Sequence, residues 1–355
     1  LRAKMRAFLG ELERPARDAS FEMIRGKEPH ILPSEVGAGL DGAELVRRIW
    51  AASATEQRQV LVPLTITQPK LTTLQAESLH IKELVASFVT KHACCQPRVD
   101  NIHTAAARLD NTVVVPGGRF SLNSVLGPRT PASGYKSAPT IVRGEMEDVY
   151  GGGISQLATT LFNAALRGGY KIVQRQPHSI YFSRYPEGHE ATVSYPEPDL
   201  IFENDSAAGL LIKTEYSGTF IKVLIYGDTG GRITSVGKSP RYDVVQPPVE
   251  YEPDERLDPE KPKRARAGQM GWKLKVWRTV TLSDGQKSEE KREVVYQPRS
   301  EIMRIHPCKL PEDHKDYTGE RCPEPDEIKE VDREEELSDD VYYDTNQLEY
   351  DEEGG

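Results

Sequence analysis

The chain has 355 residues, 37% hydrophobic and 28% charged, with 25 prolines and 28 glycines, enough for two or three domains joined by long connections. No apolar run nears the roughly 18 residues of a bilayer span and the mixed, charged start shows no signal peptide, but Leu1 in place of Met points to a chain cut from a longer one, with room for an anchor ahead of it. The formal net charge of −9 is uneven: from Pro323 onward 15 Asp or Glu face only Lys329 and Arg333, so the tail holds −13 and the rest +4, too dilute a positive charge for nucleic acid but suited to anionic wall glycans.

Residues 1–88 read as a small α+β unit. In DGAELVRRIWAAS, Leu45, Val46, Ile49 and Trp50 recur at helical spacing, and QRQVLVPLTIT alternates as a strand does. LQAESLHIKELVASFVT is helical in character and ends β-branched. Residues 89–228 hold most of the motifs. NIHTAAARLDNTVVVPGGRFSLNSVLGPRT predicts a helix packed through Ile102, Ala105, Ala106 and Leu109, a strand, and a tight turn at Pro116 to Gly118 before Phe120. In GGGISQLATTLFNAAL, Gly151, Gly152 and Gly153 precede a helix whose buried stripe is Ile154, Leu157, Leu161 and Ala165, with Thr160 and Asn163 facing outward. PHSIYFSRYPEGHEATV sets His178 and His189 on either side of an aromatic strand and a glycine turn.

Residues 229–267, including KSPRYDVVQPPVEYEPDERLDPEKPKRAR, mix prolines and charges with little periodicity and read as a linker. Residues 268–322 read as a small β module. WKLKVWRTVTL puts Trp272, Leu274, Val276 and Val280 on even positions, SDG turns, and REVVYQP returns as a hairpin. Cys308 and Cys322 enclose a polar loop and read as a disulfide worth about 3 kcal/mol, which argues for an oxidising compartment. Residues 323–355 read as an acidic, disordered tail.

The chemistry-bearing residues have more than one reading. Cys94 and Cys95 are adjacent, with Cα atoms about 3.8 Å apart, closer than a relaxed disulfide allows; free thiols, a strained vicinal disulfide or ligands all fit. With His92 and His103 they lack a standard zinc spacing, so no metal or cofactor is expected. Ser155 at a helix start reads either as an N-cap or as a position where unpaired N–H groups and the helix dipole favour an anion. His178 suits a general base or a hydrogen-bonded strand residue. His189 follows Gly188 in a turn, and Arg98, Arg129, Arg143 and Arg184 suit a substrate carboxylate or an internal pair.

In order, the asparagine-isoleucine helix, the PGxxFS turn, the GGGxxQ helix start and the YPxGxxAT turn resemble the VanW family over about 140 residues. Residues 1–88 are similar to the end of the peptidoglycan-binding domain that often precedes it, and residues 268–308 to a G5 module. The resemblance implies an α+β fold, with a VanW-type central domain flanked by a small α+β domain and a small β module. It also implies an extracytoplasmic, membrane-anchored envelope protein of a Gram-positive bacterium with peptidoglycan as partner. Family members are linked to L,D-transpeptidation, and many carry GGGxCQ where this chain has Ser155. A peptidoglycan stem peptide is then expected along Gly151, Gly152, Gly153, Gln156, Arg129, Tyr185, His189 and Thr192. As an acyl transferase the chain would use Cys94 or Cys95, with His178 as base and Ser155 at the helix start; as a binding module it would keep the groove alone.

Overall fold

A computed structural model describes residues 12–24, 28–56, 59–93, 97–142 and 145–324. Cys94, Cys95, the Arg143 side chain and the acidic stretch 325–355 lie outside the described residues. The architecture is α+β, with helices packed on several small sheets. No helix among the described residues is long and apolar enough to cross a membrane.

The N-terminal unit runs through β1 (Ser20–Ile24), β2 (Glu28–Leu32), β3 (Gly37–Leu40), α1 (Gly42–Ser53), β4 (Leu64–Thr67) and α2 (Thr73–Ser78). Asp41 caps α1 by accepting from Glu44 N, and Thr72 and Gln75 cap α2 reciprocally. Of the stripe expected on α1 only Leu45 is buried, and Trp50 is 74% exposed.

The central unit comprises β5 (Glu83–Lys91), α3 (Pro97–Leu109), β6 (Thr112–Val114), β7 (Arg119–Ser121), α4 (Leu122–Leu126), β8 (Ser137–Val142), β9 (Glu145–Tyr150), α5 (Ile154–Arg167), β10 (Lys171–Gln174), β11 (Ile201–Glu203), β12 (Leu210–Tyr216) and β13 (Phe220–Gly227). Its main sheet is antiparallel in the order β5-β13-β12-β6. Alternation sorts the two faces. Leu210, Ile212, Ile221, Val223 and Ile225 point into the core formed with α3 and α5, through the expected Ile102, Ala105, Ala106, Leu109, Leu157 and Leu161. Leu211, Leu224 and Tyr226 point the other way, onto Phe21, Ala76 and Leu79 of the N-terminal unit.

Two expectations for this unit are corrected. Thr160 and Asn163 are fully buried, because α5 is enclosed by the sheet on one side and by residues 189–191 on the other. Thr160 Oγ1 meets Thr90 Oγ1 at 2.7 Å and donates to Gln156 O, while Asn163 Nδ2 donates to His189 O at 2.6 Å and to Thr159 O. Polar residues on a helix face outward only where that face meets water. The aromatic segment after His178 is a run of turns rather than a strand, because its rings stack on one another instead of alternating: His178 lies 5.3 Å from Tyr185 and 5.0 Å from Phe182.

The stretch read as a linker is also mostly paired. It carries β14 (Ile233–Lys238), β15 (Tyr242–Val245), β16 (Val249–Pro253) and β17 (Lys263–Arg266); β18 (Gly271–Thr281), β19 (Lys287–Tyr296) and β20 (Glu301–Ile305) follow. β14 and β15 pair with β18, and β16 and β17 with β20. Most of these strands are four or five residues long and largely exposed, so neither length nor apolar periodicity announces them, and prolines sit at their ends. The β18–β19 hairpin matches the expectation, with Trp272, Leu274, Val276 and Val280 buried. Cys308 and Cys322 form a disulfide with Cα atoms 5.3 Å apart.

Candidate functional site

The glycine turn is tied to α3. Asn101 Nδ2 donates to Gly152 O at 3.0 Å and Lys136 O at 2.9 Å, and Lys136 N donates back to Asn101 Oδ1. Gly153 has φ +102°, and a Cβ there would lie 2.4 Å from Arg98 Cγ; the turn needs glycine both for its backbone and for the approach of that arginine. Gly153 is the N-cap of α5 and no side chain caps the helix. The N-cap reading of Ser155 is therefore corrected: it is the second helical residue, and its hydroxyl turns sideways, 3.4 Å from Thr192 Oγ1 and accepting from Val193 N at 3.3 Å. Ile154 N and Gln156 N already donate to Gly151 O and Gly153 O, so these two N–H groups are not free for an oxyanion.

Gln156 is wholly buried and its amide is occupied. Nε2 donates to Thr90 Oγ1 at 2.7 Å and Lys91 O at 3.1 Å, and Oε1 accepts from Arg98 Nη2 at 2.9 Å. It thereby joins Lys91 and Arg98, the described residues on either side of the cysteine pair. Arg129 is likewise engaged with Gly127 O and Asn123 Oδ1, each at 2.6 Å. His103 Nε2 meets Ser217 O at 2.8 Å, while burial holds His92 below the usual imidazole range and its Nε2 has no hydrogen-bond partner among the described residues.

Thr192 N donates to Gln176 O at 2.8 Å, an isolated antiparallel bridge. Two residues further along each arm, that register sets His178 against Glu190, and His178 Nδ1 lies 3.4 Å from Glu190 Oε2. The Glu190 side chain is 0% exposed and that of His178 14%. Among the described residues neither Glu190 oxygen nor His178 Nδ1 meets strict hydrogen-bond geometry, although the Tyr296 hydroxyl approaches Glu190 as a donor. Glu190 was not singled out from sequence; its signal was its spacing, two residues before Thr192 as His178 is two after Gln176. Ser155 thus meets Thr192 at the bridge, and the His178–Glu190 pair lies two residues further along the two arms.

Tyr185 stacks on His178. It is 2% exposed, and the Arg184 guanidinium sits 5.4 Å from its ring and 5.0 Å from that of Phe182. Arg184 Nε is buried without a hydrogen-bond partner among the described residues. Burial lowers the Arg98 pKa, Arg184 lowers it further, and the Tyr185 hydroxyl acts in the opposite sense. Two guanidiniums thus approach one another, met by an amide, a phenol and aromatic rings. His189 faces away, into a cavity of about 30 Å³ beside Phe162, Leu166 and Val276, and burial followed by the charge of Arg175 brings its pKa down to about 4. A much larger concavity of about 680 Å³ lies at Glu252–Arg256 and Asp316 and contains none of these residues.

Residues 97–226 match the family described as "VanW like protein". A Bacillus subtilis (strain 168) protein, "Uncharacterized protein YoaR", is 32% identical over 240 residues, 67% of this chain and 79% of its own. The "Vancomycin B-type resistance protein VanW" of Enterococcus faecalis (strain ATCC 700802 / V583) is 29% identical over 116 residues, 31% of this chain and 42% of its own. A solved structure titled "Crystal structure of HP0197-G5" matches with 22% identity and a TM-score of 0.12, over 21% of this chain and 96% of that one.

Proposed function

Because the chain belongs to the VanW family, we propose that it is a cell-wall protein whose central domain binds peptidoglycan stem peptides at the edge formed by Ser155, Thr192, His178 and Glu190. The supporting observation is the approach of Arg98 and Arg184 beside this edge, where the described partners are an amide, a phenol and aromatic rings. Adjacent guanidiniums repel, and a carboxylate that takes hydrogen bonds from both relieves the repulsion. Stem peptides end in carboxylates. A second relative, named for vancomycin resistance, points to the same envelope chemistry. On this reading Gln156 and Arg129 shape the site from behind, their polar atoms being engaged internally. Calorimetry with a stem tetrapeptide and its C-terminal amide tests the proposal. The free acid should bind at least about tenfold tighter, the scale of a lost charge-assisted hydrogen bond, and Arg184→Gln should remove the difference. Equal binding of acid and amide overturns it.

One observation favours the second reading, L,D-transpeptidase-type acyl transfer. A histidine held against a buried carboxylate is the orienter-and-base pair that nucleophile activation requires, and His178–Glu190 has that form. The nucleophile would be Cys94, Cys95 or the residue at position 155. In this case Ser155→Cys should alkylate with iodoacetamide near neutral pH faster than a cysteine in an unfolded peptide, and His178→Ala should slow it. Ordinary reactivity, together with no crosslinking of tetrapeptide stems by the unaltered chain, leaves the binding reading standing.

A further inference from the structure

We propose that the β18–β19 hairpin is part of the functional site, and that Tyr296 at the end of β19 is a positioning residue that fixes the loop carrying His178 and Glu190. This deepens the stem-peptide reading and rests on it for the site's purpose, but the geometry is independent of any ligand.

The loop 178–190 has no sheet of its own to hold it. The hairpin and its flanks hold it at four points. Tyr296 Oη accepts from Gly188 N at 2.7 Å, Gln297 N donates to Ser179 O at 2.7 Å, Gln269 Nε2 donates to Tyr181 O at 2.9 Å, and Trp272 Nε1 donates to Glu187 Oε1 at 2.8 Å. Ring packing seals the junction, with Tyr181 5.2 Å from Trp272 and 5.4 Å from Tyr296. Gly188 lies so close that a Cβ there would fall 2.5 Å from Val276 Cγ1. These contacts reach backbone at residues 179, 181 and 188, on both sides of the turn that brings Glu190 to His178.

Tyr296 is the most telling of them. Its side chain is 1% exposed, and its oxygen takes the Gly188 N–H, two residues before Glu190. Its own O–H is left to donate. Burial raises the phenol's pKa, and the charge of Glu190 and a hydrogen bond to it raise it further, so the hydroxyl stays protonated and donates toward that carboxylate. From the central unit Arg175 completes the hold, donating to Glu190 O at 2.6 Å and to Gly188 O.

The decisive variant is Tyr296→Phe in the full chain, which keeps the ring and removes the hydroxyl. Gly188 amide exchange should accelerate about tenfold, as expected for one lost hydrogen bond, while amides of α5 and the β18–β19 hairpin keep their rates. Tyr181→Phe, in the same ring cluster, should leave Gly188 unchanged. Stem-tetrapeptide affinity should fall several-fold, and Tyr296→Phe should add nothing once Glu190→Gln is present. Unchanged exchange at Gly188, an equal effect from Tyr181→Phe, or equal weakening of binding in both backgrounds overturns the proposal. If the unaltered chain binds no tetrapeptide, the functional reading fails, and the exchange experiment by itself decides whether the hairpin positions the loop.

Discussion

Replacing Gln156 by leucine separates a substrate-contacting amide from a structural one. The amide serves three groups: Arg98 Nη2, Thr90 Oγ1 and Lys91 O. After the substitution Thr90 keeps Thr160 at 2.7 Å and Arg98 keeps Tyr185, so the loss falls mainly on the Lys91 carbonyl and on one guanidinium N–H. At about 1–3 kcal/mol for each buried group left unpaired, and with leucine recovering part of this by filling the volume, the net cost is about 2–4 kcal/mol. Urea unfolding followed by far-UV circular dichroism, with amide exchange along α5 to localise the change, measures it. Gln156→Glu should fall between wild type and Gln156→Leu, since it retains the acceptor for Arg98 but sets a second acceptor against Lys91 O. A loss below about 1 kcal/mol for Gln156→Leu would refute the structural assignment and return the amide to the substrate.

Other expected outcomes follow from burial and titration. Leu161→Ala should cost about 2–5 kcal/mol by opening a cavity, and Thr160→Val about 1–3 kcal/mol by removing a hydroxyl with two buried partners; chemical denaturation that finds Thr160→Val neutral would return that residue to the surface. His189 titrates at about 4 when folded against 6.5 in its unperturbed state, so the unfolded chain takes up a proton first on acidification. Its contribution is intact above pH 6.5 and falls by about 1.4 kcal/mol per unit toward pH 4; pH-dependent unfolding should be flatter in this window for His189→Gln. Reducing Cys308–Cys322, which closes a sequence separation of 14, should lower stability of the C-terminal unit by about 3 kcal/mol, and an unchanged melting profile with dithiothreitol would contradict this.

Much of the scaffold was legible because burial there is one-sided. The β18–β19 hairpin buries one face, so Trp272, Leu274, Val276 and Val280 show the period of two, and α3 shows its stripe for the same reason. Where an element is covered on both sides or on neither, the pattern fails. Thr160 and Asn163 look like solvent positions because their partners, Thr90 and His189 O, are far away in sequence. β15 and β17 look like linker because they are short, exposed and charged. Of the proposed site, the sequence singles out the glycine turn, Ser155 and His178, residue types uncommon in such a pattern. It was not legible in Glu190, an ordinary acid beside His189, nor in Tyr296, which lies 108 residues from the Gly188 it holds.

Glu187 and Glu190 are two carboxylates of one turn held in different surroundings. Both lie in the same turn with nearly buried side chains. Burial pushes the Glu187 carboxyl up, but Lys238 and Arg241 overcome this and hold it below the usual range, and Trp272 Nε1 donates to it as well. Its hydrogen-bonding capacity is satisfied, which is how buried charge becomes compatible with stability. Glu190 is more deeply buried, and among the described residues it meets an imidazole at 3.4 Å, the Tyr296 hydroxyl, which is free to donate to it, and the charge of the nearby Arg175. With fewer charged partners close to it than Glu187 has, its burial costs the fold more. Retaining it makes physical sense on the proposed reading, where His178 must be held in one orientation as a ligand arrives.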